Sequence, residues 1–330
     1  MISYKPQVAI LHINMAAPNF TGDGQQKTFE DLKCSLDLTP RLHAQLTFIS
    51  VLNSILSVAA FLGNALILIA LYKESSLHPP SKLLLRNLAT TDLCIGLILE
   101  PLTVIGWMYV GNGHRNICPL LSAASLVKGY ILFGVSVATL TTISVDRLLA
   151  LLLKLRYKQV VTVKRTYVIV IFIWVVCTVS SAIQFWNPLM TLWCGIMGAS
   201  LCLVISSFCF TKIFLTLRHH QNNLQDPVQQ PNQTNQLNIA RYKKAVSTAI
   251  WLQLTPVACY LPYCVVAVSR PSSALTWMFA ATLVFLNSSL NPILLLEDRR
   301  SQTSSEEHNQ TSTLPLFCEL DLVDQNNRED

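Results

Sequence analysis

Three ionisable side chains stand inside long apolar stretches of this 330-residue chain: Asp92, Glu100 and Lys128. Moving a charge from water into hydrocarbon is costly, so each of these groups needs a partner and is a candidate for function. Asp92 lies in the middle of its stretch, and Ser136, Asn287, Ser288 and Asn291 fall at matching depth in two others, with Asn64 nearby in the first. A carboxylate ringed by hydroxyl and amide oxygens suits a small hard cation such as sodium, with Asp92 and Ser136 as its first ligands. A protonated Asp92 satisfied by hydrogen bonds alone is the competing reading. Of the ten cysteines, Cys94, Cys177, Cys202, Cys209, Cys259 and Cys264 lie inside apolar runs with no metal-ligand spacing, and read as packed thiols.

The elements that carry these residues are set by composition. Only 13% of the residues are charged and 52% are hydrophobic, where a soluble domain carries about 25% charged residues. Seven apolar runs follow one another: Leu46–Tyr72, Leu83–Val110, Pro119–Leu153, Tyr167–Trp186, Met190–Leu217, Ala245–Val268 and Leu275–Leu296. Each is long enough to span a bilayer as a helix, which predicts an all-α membrane protein built as a seven-transmembrane-helix bundle. The expected organisation is an N-terminal extracellular segment over 1–44, the transmembrane domain over 45–296 and an acidic, disordered cytoplasmic tail over 297–330.

Charge sets the expected orientation. The tail from Glu297 holds nine acids against three bases, and most of the remaining basic charge flanks the apolar runs. The first, third and fifth connections carry Lys73, Lys82, Lys154, Arg156, Lys158, Lys164, Arg165, Arg218, Arg241, Lys243 and Lys244, whereas the other three hold only Arg115 and Arg270. By the positive-inside rule the odd connections are cytoplasmic, the N-terminus is outside and the C-terminus inside. Asn19-Phe20-Thr21 is then an outward-facing glycosylation acceptor. No cleaved signal peptide is expected, because Val8–Ile13 is short and interrupted by His12. The basic charge reports membrane topology, so a nucleic-acid partner is not expected. Three titratable residues within the spans are too few for a transporter or a membrane enzyme.

Short motifs now fall into register along the spans: Gly63-Asn64, Leu88-Ala89-Thr90-Thr91-Asp92, Asp146-Arg147-Leu148, Trp174, Pro262 and Asn291-Pro292. In order and spacing this series resembles the rhodopsin-like G-protein-coupled receptors over residues 45 to 295, loosely nearest the melanocortin, lysophospholipid, cannabinoid and adenosine branch. The resemblance implies a multi-pass plasma-membrane receptor that binds an extracellular small molecule or peptide and activates a heterotrimeric G protein by outward movement of the sixth helix. It also implies an allosteric sodium ion at Asp92, Ser136 and Asn291, no other cofactor, and G-protein contact at Arg147, with Asp146, Arg241, Lys243 and Lys244 beside it. An outer disulfide between Cys118 and Cys194 has two free thiols as its alternative.

The expected ligand pocket is lined by Glu100 and Trp107 of the second span and Lys128, Gly129 and Phe133 of the third. Tyr260 and Tyr263 of the sixth and Trp277 and Phe285 of the seventh complete it. Aromatic walls with few polar anchors suit a small organic or peptide ligand. Gly129 stands where amine receptors place an aspartate. Lys128 is left either to meet an anionic group or to pair with Glu100.

The pattern also departs from the family at Leu295 and Phe210, which lack the usual tyrosine hydroxyls, and in the absence of a basic eighth helix after Leu296. These departures favour, as the alternative, a signalling-deficient receptor-like protein, a decoy or partner subunit of the same fold.

Overall fold

A computed structural model describes residues 40–73, 78–111, 118–153, 156–183, 187–224, 254–269 and 273–306, with side chains over most of these up to residue 293. The described residues are helical throughout, without a strand. The long helices are α1 (Pro40–Lys73), α2, α3 (Cys118–Leu153), α4 (Val163–Ala182), α5 (Pro188–Leu224), α6 (Leu254–Ser269) and α7 (Ala274–Glu306). α2 is composite: Pro79–Cys94, a π-helical turn at Ile95–Leu99, and Glu100–Gly111. A single helical turn at Tyr157–Val160 joins α3 to α4.

Helix starts follow local chemistry. His78 precedes Pro79 and Pro80, whose missing N–H groups cost nothing in the first turn. Asn187 precedes Pro188, and its Oδ1 accepts from the Met190 N–H at 3.1 Å, capping α5.

The buried face of α1 repeats every three or four residues, through Leu46, Ile49, Asn53, Ser57, Ala60, Asn64, Ile67 and Leu71. Large apolar side chains at Phe48, Ile55, Leu62, Leu66 and Ile69 point away from the bundle, as do Phe172 on α4 and Leu201, Val204 and Phe208 on α5. Among the described residues, five helices have the length and hydropathy to cross a membrane, and α6 is a shorter apolar helix. Apolar residues outside and amides, hydroxyls and carboxyls inside are what lipid selects: hydrocarbon gives helices no hydrophobic reason to associate, so close packing and internal hydrogen bonds hold them together.

Two prolines show how. Pro292 lies within α7 and has no N–H for the Ser288 carbonyl four residues back. That carbonyl accepts instead from Asn64 Nδ2 at 3.1 Å. α1 comes close enough because its neighbouring residue is Gly63, where a Cβ would lie 2.7 and 2.8 Å from the Pro292 ring carbons. On α2, Pro101 follows the π turn, in which the Glu100 N–H bonds to Ile95 O. The Gly96 carbonyl then faces a residue with no N–H, and Ser57 Oγ of α1 donates to it at 2.7 Å. Gly96 is tight against α1, its ideal Cβ being 2.8 Å from Phe61 N and 2.9 Å from Ala60 Cβ.

α7 corrects one boundary. The expected break after Leu296 is absent, and the helix continues through Glu297 and Arg300 to Glu306. Residues 297–300 are two acids followed by two bases, which continue a helix as readily as they end one, and no Gly or Pro intervenes. Residues 1–39, Asn19 among them, lie outside the described residues, as do 225–253 with Arg241, Lys243 and Lys244.

Candidate functional site

The π turn and the Pro292 site bring α1, α2, α3 and α7 together around Asp92, which is fully buried. Its Oδ1 accepts from Ser136 Oγ at 3.1 Å and from Ser288 Oγ at 3.0 Å, while Oδ2 accepts from Asn291 Nδ2 at 2.8 Å. Asn287 is also fully buried and neither its Oδ1 nor its Nδ2 has a partner, and the Oδ1 of Asn291 is likewise unpartnered. The structure thus gathers Asp92, Ser136, Ser288 and Asn291 into one hydrogen-bonded set, to which the buried Asn287 makes no bond. Orphaned amide oxygens beside a carboxylate and two hydroxyls are the donor set that a monovalent hard cation requires.

Beyond this cluster, in the direction away from the basic residues Lys73, Lys82 and Arg156, lies an aromatic wall. Phe133 of α3 meets Phe285 of α7 with ring centroids 5.5 Å apart and Tyr260 of α6 edge-on at 6.5 Å. Gly129 lies one turn away, an added Cβ there meeting the Phe133 ring at 3.6 Å. Tyr263 and Trp277 form a second edge-on pair at 6.2 Å. Tyr260 packs with Val137, Cys259 and Val284, which seats it between α3 and α7.

Three expected pocket residues stand elsewhere. Trp107 packs with Leu46, Ile49 and Met278 at the α1–α2–α7 seam, apart from the Phe133 group. Lys128 is exposed and neither Glu100 oxygen has a partner, so of the two alternatives for Lys128 the pair with Glu100 does not form. Glu100 is fully buried and neither carboxyl oxygen has a partner. Cys194, for which a bridge to Cys118 and a free thiol were the alternatives, is an exposed free thiol here, and the Cys118 side chain lies outside the described ones.

At the basic end, Asp146 of α3 is buried and accepts from Ser81 Oγ and from the Tyr157 hydroxyl, each at 2.8 Å. Arg147 NH2 is 3.9 Å from Asp146 Oδ2, a long contact beside two short ones. Burial first, and then the Asp146 charge, push the Tyr157 phenol up to about 12. His78 lies against the Tyr157 ring at 5.0 Å.

Further pairs tie the helices together. Trp174 Nε1 donates to Asn87 Oδ1 at 3.0 Å, and Asn87 Nδ2 to Thr139 Oγ1 at 2.8 Å, joining α4, α2 and α3. Ser144 and Ser206 share a hydrogen bond of 3.0 Å between α3 and α5. Ser81, Tyr157, Asn53 and Thr282 were not singled out by sequence reasoning. Their one signal was polarity within or beside an apolar run, which lone Ser, Thr and Asn residues share with many that only bond their own helix.

Comparison with known proteins agrees with this architecture. The family model described as 7 transmembrane receptor (rhodopsin family) matches residues 63–186. The chain is 24% identical to melanocortin receptor 4 of Danio rerio over 72% of its own length and 76% of that receptor. It is 21% identical to a QRFP-like peptide receptor of Branchiostoma floridae, over 73% of this chain and 71% of the relative. Over 38% of the chain it is 27% identical to 5-hydroxytryptamine receptor 1B of Vulpes vulpes, of which it spans only 32%. Over residues 63–186, and more distantly over most of its length, the chain is similar to rhodopsin-like receptors, and its apolar helices are those of a multi-pass protein of the plasma membrane.

Proposed function

We propose that the chain is a G-protein-coupled receptor whose ligand enters from the end away from the basic residues and whose coupling surface is the basic end beside Arg147. In this reading residues 1–44 are extracellular, 45–296 form the receptor domain and 297–330 lie in the cytoplasm. The observation that supports it best is the position of the Asp92 cluster. It joins α2, α3 and α7 between the Phe133–Phe285–Tyr260 wall and Asp146-Arg147. A ligand pressing on that wall acts on the helices that meet at Asp92, and favours whichever arrangement it binds better.

The Asp92, Ser136, Asn287, Ser288 and Asn291 side chains would hold a sodium ion, which supplies positive charge that offsets the buried carboxylate. The Phe133, Tyr260, Tyr263, Trp277 and Phe285 rings would line the ligand, and Lys128, exposed on α3, is left to meet an anionic group. In the resting arrangement Ser81 and Tyr157 would hold Asp146, and Arg147 would leave its 3.9 Å contact with that carboxylate on activation. Outward movement of α6 would bring Arg241, Lys243 and Lys244 to the G protein. Cys118 and Cys194 would need to approach for a bridge, and Asn19 would carry glycan.

Receptors among the relatives are named for a peptide and for 5-hydroxytryptamine, and a peptide fits this chain better. Gly129 offers no carboxylate to an amine from α3, and a relative matched over most of this chain is named as a QRFP-like peptide receptor, whereas 5-hydroxytryptamine receptor 1B matches over only 38% of it. A screen of peptide and small-molecule pools for thermal stabilisation of the purified chain tests the pocket. A binder should lose its effect in Phe133→Ala, and a binder indifferent to Phe133 and Tyr260 would place the pocket elsewhere.

A further inference from the structure

Tyr260 of α6 is buried, and its hydroxyl completes no well-formed hydrogen bond in this arrangement. An O–H held inside a bundle without an acceptor is unfavourable, so what it faces matters. The ring is flanked on α3 by Phe133, edge-on with centroids 6.5 Å apart, and by Val137, and on α7 by Val284. The turn of α3 between Phe133 and Val137 carries Ser136. Ser136 is also the side chain that the hydroxyl approaches closely enough to bond, with the Asp92 charge acting on it from behind.

Ser136 has what the Tyr260 hydroxyl lacks. Its Oγ gives its single hydrogen to Asp92 Oδ1 at 3.1 Å, which leaves lone pairs free to accept. A chain from Tyr260 O–H to Ser136 Oγ to Asp92 Oδ1 then runs in one direction, each hydroxyl donating once, and each bond in such a chain strengthens the next. The opposite direction is closed, because the one Ser136 hydrogen goes to the carboxylate, the stronger acceptor. The bonds to Asp92 itself join α2, α3 and α7. The tyrosine adds α6.

We infer that the Tyr260 hydroxyl donates to Ser136 and so latches α6 to the Asp92 cluster. Tyr260 is thereby a positioning residue with two faces: its ring belongs to the aromatic wall and its hydroxyl to the polar cluster. A ligand that displaces the ring breaks the bond. Whatever changes the charge at Asp92, a proton or a cation, changes the pull on Ser136 and with it the hold on α6. The bond is a property of the fold, and only the identification of α6 as the helix that moves in signalling rests on the receptor reading.

A double-mutant cycle followed by thermal unfolding of the purified full chain tests the bond. Tyr260→Phe removes one oxygen and keeps the ring, and in the wild-type chain it should raise the unfolding equilibrium constant about threefold, as the loss of one interhelical hydrogen bond does in a membrane protein. In Ser136→Ala the same change should cost nothing or stabilise, since the hydroxyl no longer has an acceptor to lose. In Asn287→Ala it should cost as much as in wild type. An equal effect with and without Ser136 overturns the inference, and so does an effect that vanishes in Asn287→Ala, which would assign the hydroxyl to that amide or to a water on it. The latch is read separately by thiol labelling resolved by mass spectrometry, which also decides the matter if Ser136→Ala does not fold. In Tyr260→Phe, Cys259 beside it should label faster, whereas Cys177 on α4, whose Sγ lies 3.0 Å from the Cβ position of Gly134, should not. Equal acceleration at both thiols, or none at Cys259, would contradict a latch on α6. Neither readout involves a G protein, so a chain that fails to signal leaves both tests intact.

Discussion

Gly63→Ala should destabilise the bundle far more than any ordinary glycine-to-alanine change in a helix. The new Cβ would sit 2.7 and 2.8 Å from Pro292 Cβ and Cγ, where carbon atoms pack at about 3.5–4.0 Å. Proline's ring is rigid, so α1 must retreat from α7 by about 1 Å to restore that contact distance. The retreat stretches the 3.1 Å bond from Asn64 Nδ2 to Ser288 O, the bond that replaces the N–H Pro292 lacks. Overpacking costs about 1–3 kcal/mol and the lost interhelical bond about 1 kcal/mol. Gly198→Ala is the matched control, because nothing lies within 4 Å of its Cβ position. Both changes gain the same helix propensity, so the gap between them isolates the packing effect at ~2–4 kcal/mol. A thiol-reactive dye following exposure of the buried Cys209 and Cys259 during heating would measure it. If Gly63→Ala melts with Gly198→Ala, the close approach of α1 to Pro292 is not as described.

Other consequences follow from single contacts. Ser57→Ala strips the only partner shown for the Gly96 carbonyl and should cost about 1–3 kcal/mol in thermal unfolding, whereas Ser54→Ala, whose hydroxyl only bonds Ser50 O of its own helix, should be near neutral. Trp174→Phe removes the donor to Asn87 Oδ1 and should lower stability by about 1 kcal/mol, and adding Asn87→Ala should cost only the further bond from Asn87 Nδ2 to Thr139 Oγ1, so that the two losses are less than additive. For Tyr157 the sign is set by a phenol raised from 10.0 in the unfolded chain to about 12 when folded. Its contribution is full below pH ~10 and is lost as pH rises through ~12, since only the unfolded chain releases the proton over that window. Melting curves from pH 8 to 12 should therefore fall more steeply for wild type than for Tyr157→Phe, and parallel curves would refute the burial of that hydroxyl.

Much of the bundle was legible in the sequence because hydrocarbon leaves few choices: a run of apolar residues without charges must be a helix, and the polar residues within it must face inward. Asp92, Ser136, Ser288 and Asn291 could be matched by depth alone, and they meet. Depth does not give rotation about the helix axis, which is why the sequence left Lys128 open to either an anionic group or Glu100, whereas the fold leaves it exposed and Glu100 buried without it. The π turn at Ile95–Leu99 changes that rotation within α2, and no apolar periodicity marks it. Trp107 was misplaced for the same reason, carried round to Leu46 and Met278. Tyr157 escaped notice because its contact with Asp146 depends on a single helical turn after α3 that no apolar periodicity marks. The continuation of α7 past Leu296 could not be seen from charge, since a helix leaving a membrane needs no apolar face.

Guanine-nucleotide exchange on a panel of purified heterotrimeric G proteins, in membranes carrying matched amounts of the full chain or of Arg147→Ala, tests the proposed function most directly. The account predicts exchange above empty membranes with the wild-type chain, raised further by any ligand that stabilises it, and lost in Arg147→Ala. Exchange equal to empty membranes for a folded, ligand-bound wild-type chain would contradict it, and would assign the same fold to a receptor-like protein that does not signal.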